Sequence, residues 1–75
     1  MINEPIHHRT TLGPGRSLTV EWEPLAEWHS RWVAASNVTG RRTVISRHAS
    51  YTEARMRVAR EALARRAADF RAVGA

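Results

Sequence analysis

The chain has 75 residues, 43% of them hydrophobic, no cysteine, and twelve basic residues against seven acidic ones, for a formal net charge of +5 at pH 7. This composition excludes a disulfide scaffold and a fully disordered chain, and it leaves no run of about 18 apolar residues to span a bilayer. A chain of this length buries only about 60% of the surface it exposes when unfolded, so one domain with a small core is expected.

The opening Met1-Ile2-Asn3-Glu4-Pro5 lacks the charged and apolar stretches of a signal peptide, which points to a cytoplasmic location. Every basic residue is an arginine. Two origins fit that bias: GC-rich coding, which also enriches alanine, or selection for bidentate contacts to phosphate or guanine. Under either origin the charge is unevenly spread. Residues 1–16 carry +1, residues 17–35 carry −2 and residues 36–75 carry +6. An anionic partner is therefore expected to meet the second half of the chain.

Residues 1–16 read as a flexible tail. They show no apolar period, and Gly13-Pro14-Gly15 is a turn or hinge. The pair His7 and His8 has no third ligand at a suitable spacing, so no metal site is expected there. Ser17 to Glu23 reads as a strand, with Leu18, Val20 and Trp22 alternating with Thr19, Glu21 and Glu23. Pro24 ends it. A second, less regular strand is expected from about Trp28 to Ser36. Asn37-Val38-Thr39-Gly40 predicts a hairpin built on a type I turn closed by a left-handed glycine. A third strand runs from about Arg41 to His48.

The rest predicts a helix. Ser50-Tyr51-Thr52-Glu53 fits a capping box, and no glycine or proline interrupts the helix formers up to about Ala72. Thr52, Met56, Ala59, Leu63, Ala67 and Phe70 recur at helical spacing and predict the stripe that lies on the core. The expected fold is α+β: residues 17–75 form a three-stranded antiparallel sheet packed against one long C-terminal helix, β-β-β-α, behind the tail. One sheet face stays open. In one register the open face carries Trp28, Trp32, Arg42, Val44 and His48. The opposite register buries Trp28 and Trp32 and exposes Arg31, Val33 and Arg47.

Signs of catalysis are missing. The chain has no cysteine nucleophile, no glycine-rich phosphate loop before the helix and no serine, histidine and acid in a triad pattern. Glu21 and Glu23 share a strand face, as solvated carboxylates more often do than catalytic ones. No enzyme, no cofactor and no metal are expected.

Two families share motifs with the chain. Trp32-Val33-Ala34, Gly40-Arg41-Arg42 and the helix start Ser50-Tyr51-Thr52-Glu53-Ala54 resemble the small arm-site DNA-binding domain of tyrosine integrases. That resemblance implies an open sheet face that enters the major groove. The chain departs from the family in lacking lysine and in carrying Ala49-Ser50-Tyr51 where an aromatic usually precedes the helix. Val20-Glu21-Trp22-Glu23, Trp32-Val33-Ala34 and Arg60-Glu61-Ala62-Leu63 resemble HicB-like antitoxin domains. That resemblance implies docking to a protein partner. The usual acidic charge and the Pro-Gly segment between strands two and three are absent.

The expected function is thus a small non-catalytic module that binds nucleic acid, double-stranded DNA foremost. Arg41, Arg42 and Arg47 on strand three and Arg57 and Arg60 on the helix would meet phosphates, and Trp32 would stack or pack. The alternative is a protein-interaction module, antitoxin-like or a phage-encoded inhibitor or assembly protein. It would dock through the open sheet face or an edge strand and could form a homodimer. No membrane partner is expected.

Overall fold

The computed structural model describes residues 5–74, the side chains of residues 73 and 74 excepted. Four strands, β1 (Ile6–Gly13), β2 (Arg16–Trp22), β3 (Trp32–Val38) and β4 (Arg41–His48), form one antiparallel meander in the order β1-β2-β3-β4. One helix, α1 (Tyr51–Gly74), follows and covers one face of it. The class is the expected α+β with a C-terminal helix, but the sheet has four strands, not three.

The extra strand lies where a tail was expected. Ile6, His8, Thr10 and Leu12 of β1 are half-buried and alternate with exposed His7, Arg9 and Thr11. That period of two is one of polar and apolar residues mixed, so hydrophobicity alone does not display it. Pairing supplies what side-chain burial does not: β1 runs against β2 from Ile6 opposite Glu21 to Gly13 opposite Arg16. Pro14 and Gly15 fill the two-residue turn, with Gly15 at φ +68°, the left-handed region that glycine occupies without cost. The part of the expected tail at residues 1–4 lies outside the described residues.

The second hairpin is tighter than expected. Val38 pairs with Arg41, so the loop is Thr39 and Gly40 alone, with φ of 47° and 82°. Both central residues have positive φ, the signature of a type I′ turn, and not of the type I turn that Asn37 suggested. Asn37 instead sits within β3. The two hairpin ends are stitched together by the Thr39 N–H, which donates to the Gly15 carbonyl at 2.7 Å.

β3 also begins later than expected, at Trp32. Residues Trp28–Ser30 form a single 3₁₀ turn on the β2–β3 connection. The register pairs Val20 with Ala34 and Trp22 with Trp32, which places all four with Leu18 on the helix-covered face. Val33 and Ala35 therefore face the open side. Trp32 is half-buried and Trp28 is 71% exposed, so neither of the two expected registers holds for both tryptophans.

The core is small. Leu18, Val20 and Ala34 from the sheet meet Ala54, Val58 and Ala62 from α1, with Leu12, Trp32 and Ile45 packed around them. Ile45 reaches this side because β4 carries a bulge where Ala34 and Ala35 pair with Ser46 and Val44. The helix start is as expected: the Glu53 N–H donates to the Ser50 hydroxyl at 3.2 Å. Its phase is not. Met56, Leu63 and Phe70, expected on the core, are 61%, 68% and 78% exposed. Bulky Leu18, Val20, Trp22 and Trp32 already fill the covered sheet face, so the helix approaches with its row of small residues, Ala54, Val58 and Ala62.

Candidate nucleic-acid and docking surface

The open sheet face carries a chain of hydrogen-bonded polar groups. Asn37 Nδ2 donates to Thr19 Oγ1 at 3.3 Å, and Thr19 Oγ1 donates to Glu21 Oε2 at 2.6 Å. Arg42 Nε donates to Glu21 Oε1 at 3.0 Å, while its terminal nitrogen reaches Glu23 Oε2 at 3.1 Å. Arg47 donates to Glu23 Oε1 at 2.9 Å and to the Ser30 carbonyl at 3.3 Å. Thr19, Val33 and Ala35 are fully buried on this face, and Glu21 nearly so, although no second layer of secondary structure lies over them. The long arginine and glutamate side chains cover the centre of the sheet themselves. Among the described residues no buried side-chain polar atom lacks a partner.

At the centre of this face two glutamates hold two arginines, while Arg9 on the β1 edge is exposed and has no carboxylate partner among the described residues. The Arg47 hydrogen bond, aided by Arg42, holds the Glu23 carboxyl below its ordinary value. Held in this way, Arg42 and Arg47 offer little to an incoming phosphate.

Trp32 lies on the opposite, helix-covered side at the centre of an aromatic cluster. Trp22 is 4.7 Å away between ring centroids, His7 5.1 Å and Tyr51 5.3 Å, the last two edge-on. Arg31 sits 6.0 Å over the Trp22 ring and donates to the Ala26 carbonyl. The cluster ties β1, β2 and β3 to the first turn of α1, so Trp32 packs.

The six residues expected to meet nucleic acid are thus not brought together. Arg42 and Arg47 share the open face, each held by glutamate. Arg57 is on α1, bound to Glu61 at 2.9 Å. Arg41 follows the Thr39–Gly40 turn and Arg60 is on the outward side of α1. Both are exposed, and neither has a carboxylate partner among the described residues.

Among the arginines not singled out from the sequence, Arg55, Arg66 and Arg71 lie on α1. With Arg60, they have no ion-pair partner among the described residues. The signal for this was present. Glu61 stands four residues from both Arg57 and Arg65 and binds both, which holds its carboxyl below the ordinary range, Arg65 foremost. Arg60, by contrast, has Met56 and Ala64 at those positions, and Arg55 has Tyr51 and Ala59. On a helix of 100° per residue, Arg60 and Arg71 form one row and Arg55 and Arg66 another, each pair eleven residues or about 16 Å apart. Between the rows lie Met56, Ala59, Leu63 and Phe70.

Among the described residues no group of three or more histidines and acids is placed to hold a metal, and no helix is long and apolar enough to cross a membrane. The chain matches no protein-family model, no curated protein and no solved structure.

Proposed function

We propose that this chain is a non-catalytic nucleic-acid-binding module and that duplex DNA meets it along the outward side of α1. The observation that carries this reading is the segregation of free from paired arginines. On the open sheet face Arg42 and Arg47 are neutralised by Glu21 and Glu23, with Arg9 at the β1 edge exposed and without a carboxylate among the described residues. By contrast, α1 gathers Arg55, half-buried towards His8, and the exposed Arg60, Arg66 and Arg71, all without carboxylates among the described residues. Unpaired, exposed guanidiniums gain most from a phosphate, because they give up no existing ion pair and release counterions from the duplex. The reading moves the contact away from the sheet face that the integrase resemblance implied.

The test is a salt series of binding to a random-sequence duplex. Four phosphate contacts correspond to a slope of log affinity against log salt of about −2 to −4. Replacing Arg60 and Arg71 with alanine should flatten that slope by about 1 to 2. Replacing Arg42 should leave the slope unchanged and lower the melting temperature instead. Absence of binding at about 50 mM salt, where non-specific cationic contacts are strong, would overturn the proposal.

A further inference from the structure

The face of α1 that turns away from the sheet is apolar where a solvated helix would be polar. Met56, Leu63 and Phe70 are all more than half exposed and recur every seven residues, with Ala59 and Ala67 between them. From Arg66 to Ala72 every residue is exposed, with Arg16 of β2 reaching Asp69 at 3.3 Å from the sheet side. A seven-residue recurrence of large side chains keeps one seam of a helix in contact with another helix. It is the spacing of a helical partner.

We infer that this seam joins two copies of the chain through antiparallel α1 helices. About a two-fold axis at Leu63, Met56 of one copy stands opposite Phe70 of the other and Ala59 opposite Ala67. The small residues let the helices approach, and the large ones fill the seam between them. In an antiparallel pair the same flank of each helix meets its own copy. Arg60 then faces the partner's Ala64 and Ala67. Glu53 and Arg71 lie on that flank at opposite ends, within about two residues of level across the axis, so each Glu53 meets the partner's Arg71. Glu53 is 61% exposed, with only the His48 ring nitrogen near its carboxylate, at 4.0 Å, among the described residues, so its carboxylate is available. The sequence therefore offers an ion pair at both ends of the seam, and Met56, Ala59, Leu63, Ala67 and Phe70 along its centre carry no charge. Arg55 and Arg66 remain on the other flank, while Arg60 borders the seam and Arg71 is taken up by Glu53 across it. The association is independent of nucleic acid and is measured without it.

The experiment is sedimentation equilibrium of the full chain from about 1 μM to about 1 mM, the range in which small apolar interfaces dissociate. The expected result is a mass rising from 8.5 kDa toward twice that value. Leu63→Asp should remain monomeric across the range with an unchanged circular dichroism spectrum, since Leu63 is not part of the core. Glu53→Arg should weaken the dimer several-fold, and the double change Glu53→Arg with Arg71→Glu should restore it. Raising the salt should leave the dimer intact or strengthen it, because the flanks are mainly arginine. A wild-type chain monomeric at about 1 mM, well above the dissociation constants of specific interfaces, overturns the inference. So does a dimer that Leu63→Asp leaves unchanged, which would place the contact on a sheet edge. Binding of monomers to anionic phosphatidylglycerol vesicles, abolished by Leu63→Asp and with no dimer at any concentration, also overturns it and makes the seam a lipid contact.

Discussion

Thr39 is the residue whose conformation and chemistry disagree most. It is β-branched and holds φ at +47°, a region that costs a non-glycine residue about 1–3 kcal/mol. Its N–H is committed to the Gly15 carbonyl, which keeps the turn where it is. Asparagine tolerates the left-handed region and makes, with Gly40, the preferred pair for a type I′ turn. Thr39→Asn should therefore stabilise the fold by about 0.5–1 kcal/mol, which in a domain of this size raises the melting temperature by about 2–6 °C. Thermal unfolding followed by circular dichroism checks this. An unchanged or lower midpoint would show that the Thr39 side chain contributes more than its backbone conformation costs.

At the scale of the element, α1 shows what the sequence does and does not say. Its start was legible because a cap is local chemistry: Ser50 and Glu53 need only each other. Its buried face was not, because two apolar stripes run along it and size favoured the wrong one. Met56, Leu63 and Phe70 are the larger residues, yet Ala54, Val58 and Ala62 meet the sheet. What decides is the shape of the opposing surface, which no helix-local pattern contains. The same holds for β1, whose strand character depends on its pairing with β2. It holds too for Arg42 and Arg47, whose counter-ions come from β2 and the residue that follows it, across the sheet. Strands β2 and β4 and the β3–β4 hairpin were legible, since alternation and turn residues are local. The phase makes a direct prediction. Val58→Ala should cost about 1.5–3 kcal/mol, from lost burial and the cavity left behind. Leu63→Ala should change monomer stability by no more than about 0.5 kcal/mol, as exposed positions do. Urea unfolding at low protein concentration separates them, and a larger loss for Leu63→Ala than for Val58→Ala would mean that the helix is turned by about half a rotation from the described phase.

For the molecule as a whole, stability and charge are linked through pH. Among the described residues three groups are held below their ordinary values, and all three act in the same direction. Burial, reinforced by Arg55, lowers His8 from 6.5, and arginine hydrogen bonds lower Glu23 and Glu61 from 4.5. In each case the unfolded chain takes up a proton at a higher pH than the folded one. Stability is therefore complete above the unfolded value and is lost as the pH falls through the folded one. The loss should come in two stages. The first begins below about pH 6.5 and belongs to His8, whose ring nitrogen shares a hydrogen bond with Thr10 at 2.9 Å. The second begins below about pH 4.5, where protonation of Glu23 and Glu61 releases Arg42, Arg47, Arg57 and Arg65 into a chain that is already net positive at pH 7. Melting temperatures between pH 8 and pH 3 test the assignment. His8→Gln should remove the first stage and leave the second. Glu23→Gln should lower stability at neutral pH and make the second stage shallower. If the midpoint holds constant down to pH 4.5 in the wild-type chain, His8 titrates alike in both states and its burial is not felt. If Glu23→Gln leaves the acid limb as steep as before, the open-face ion pairs are not what holds β4 to the sheet.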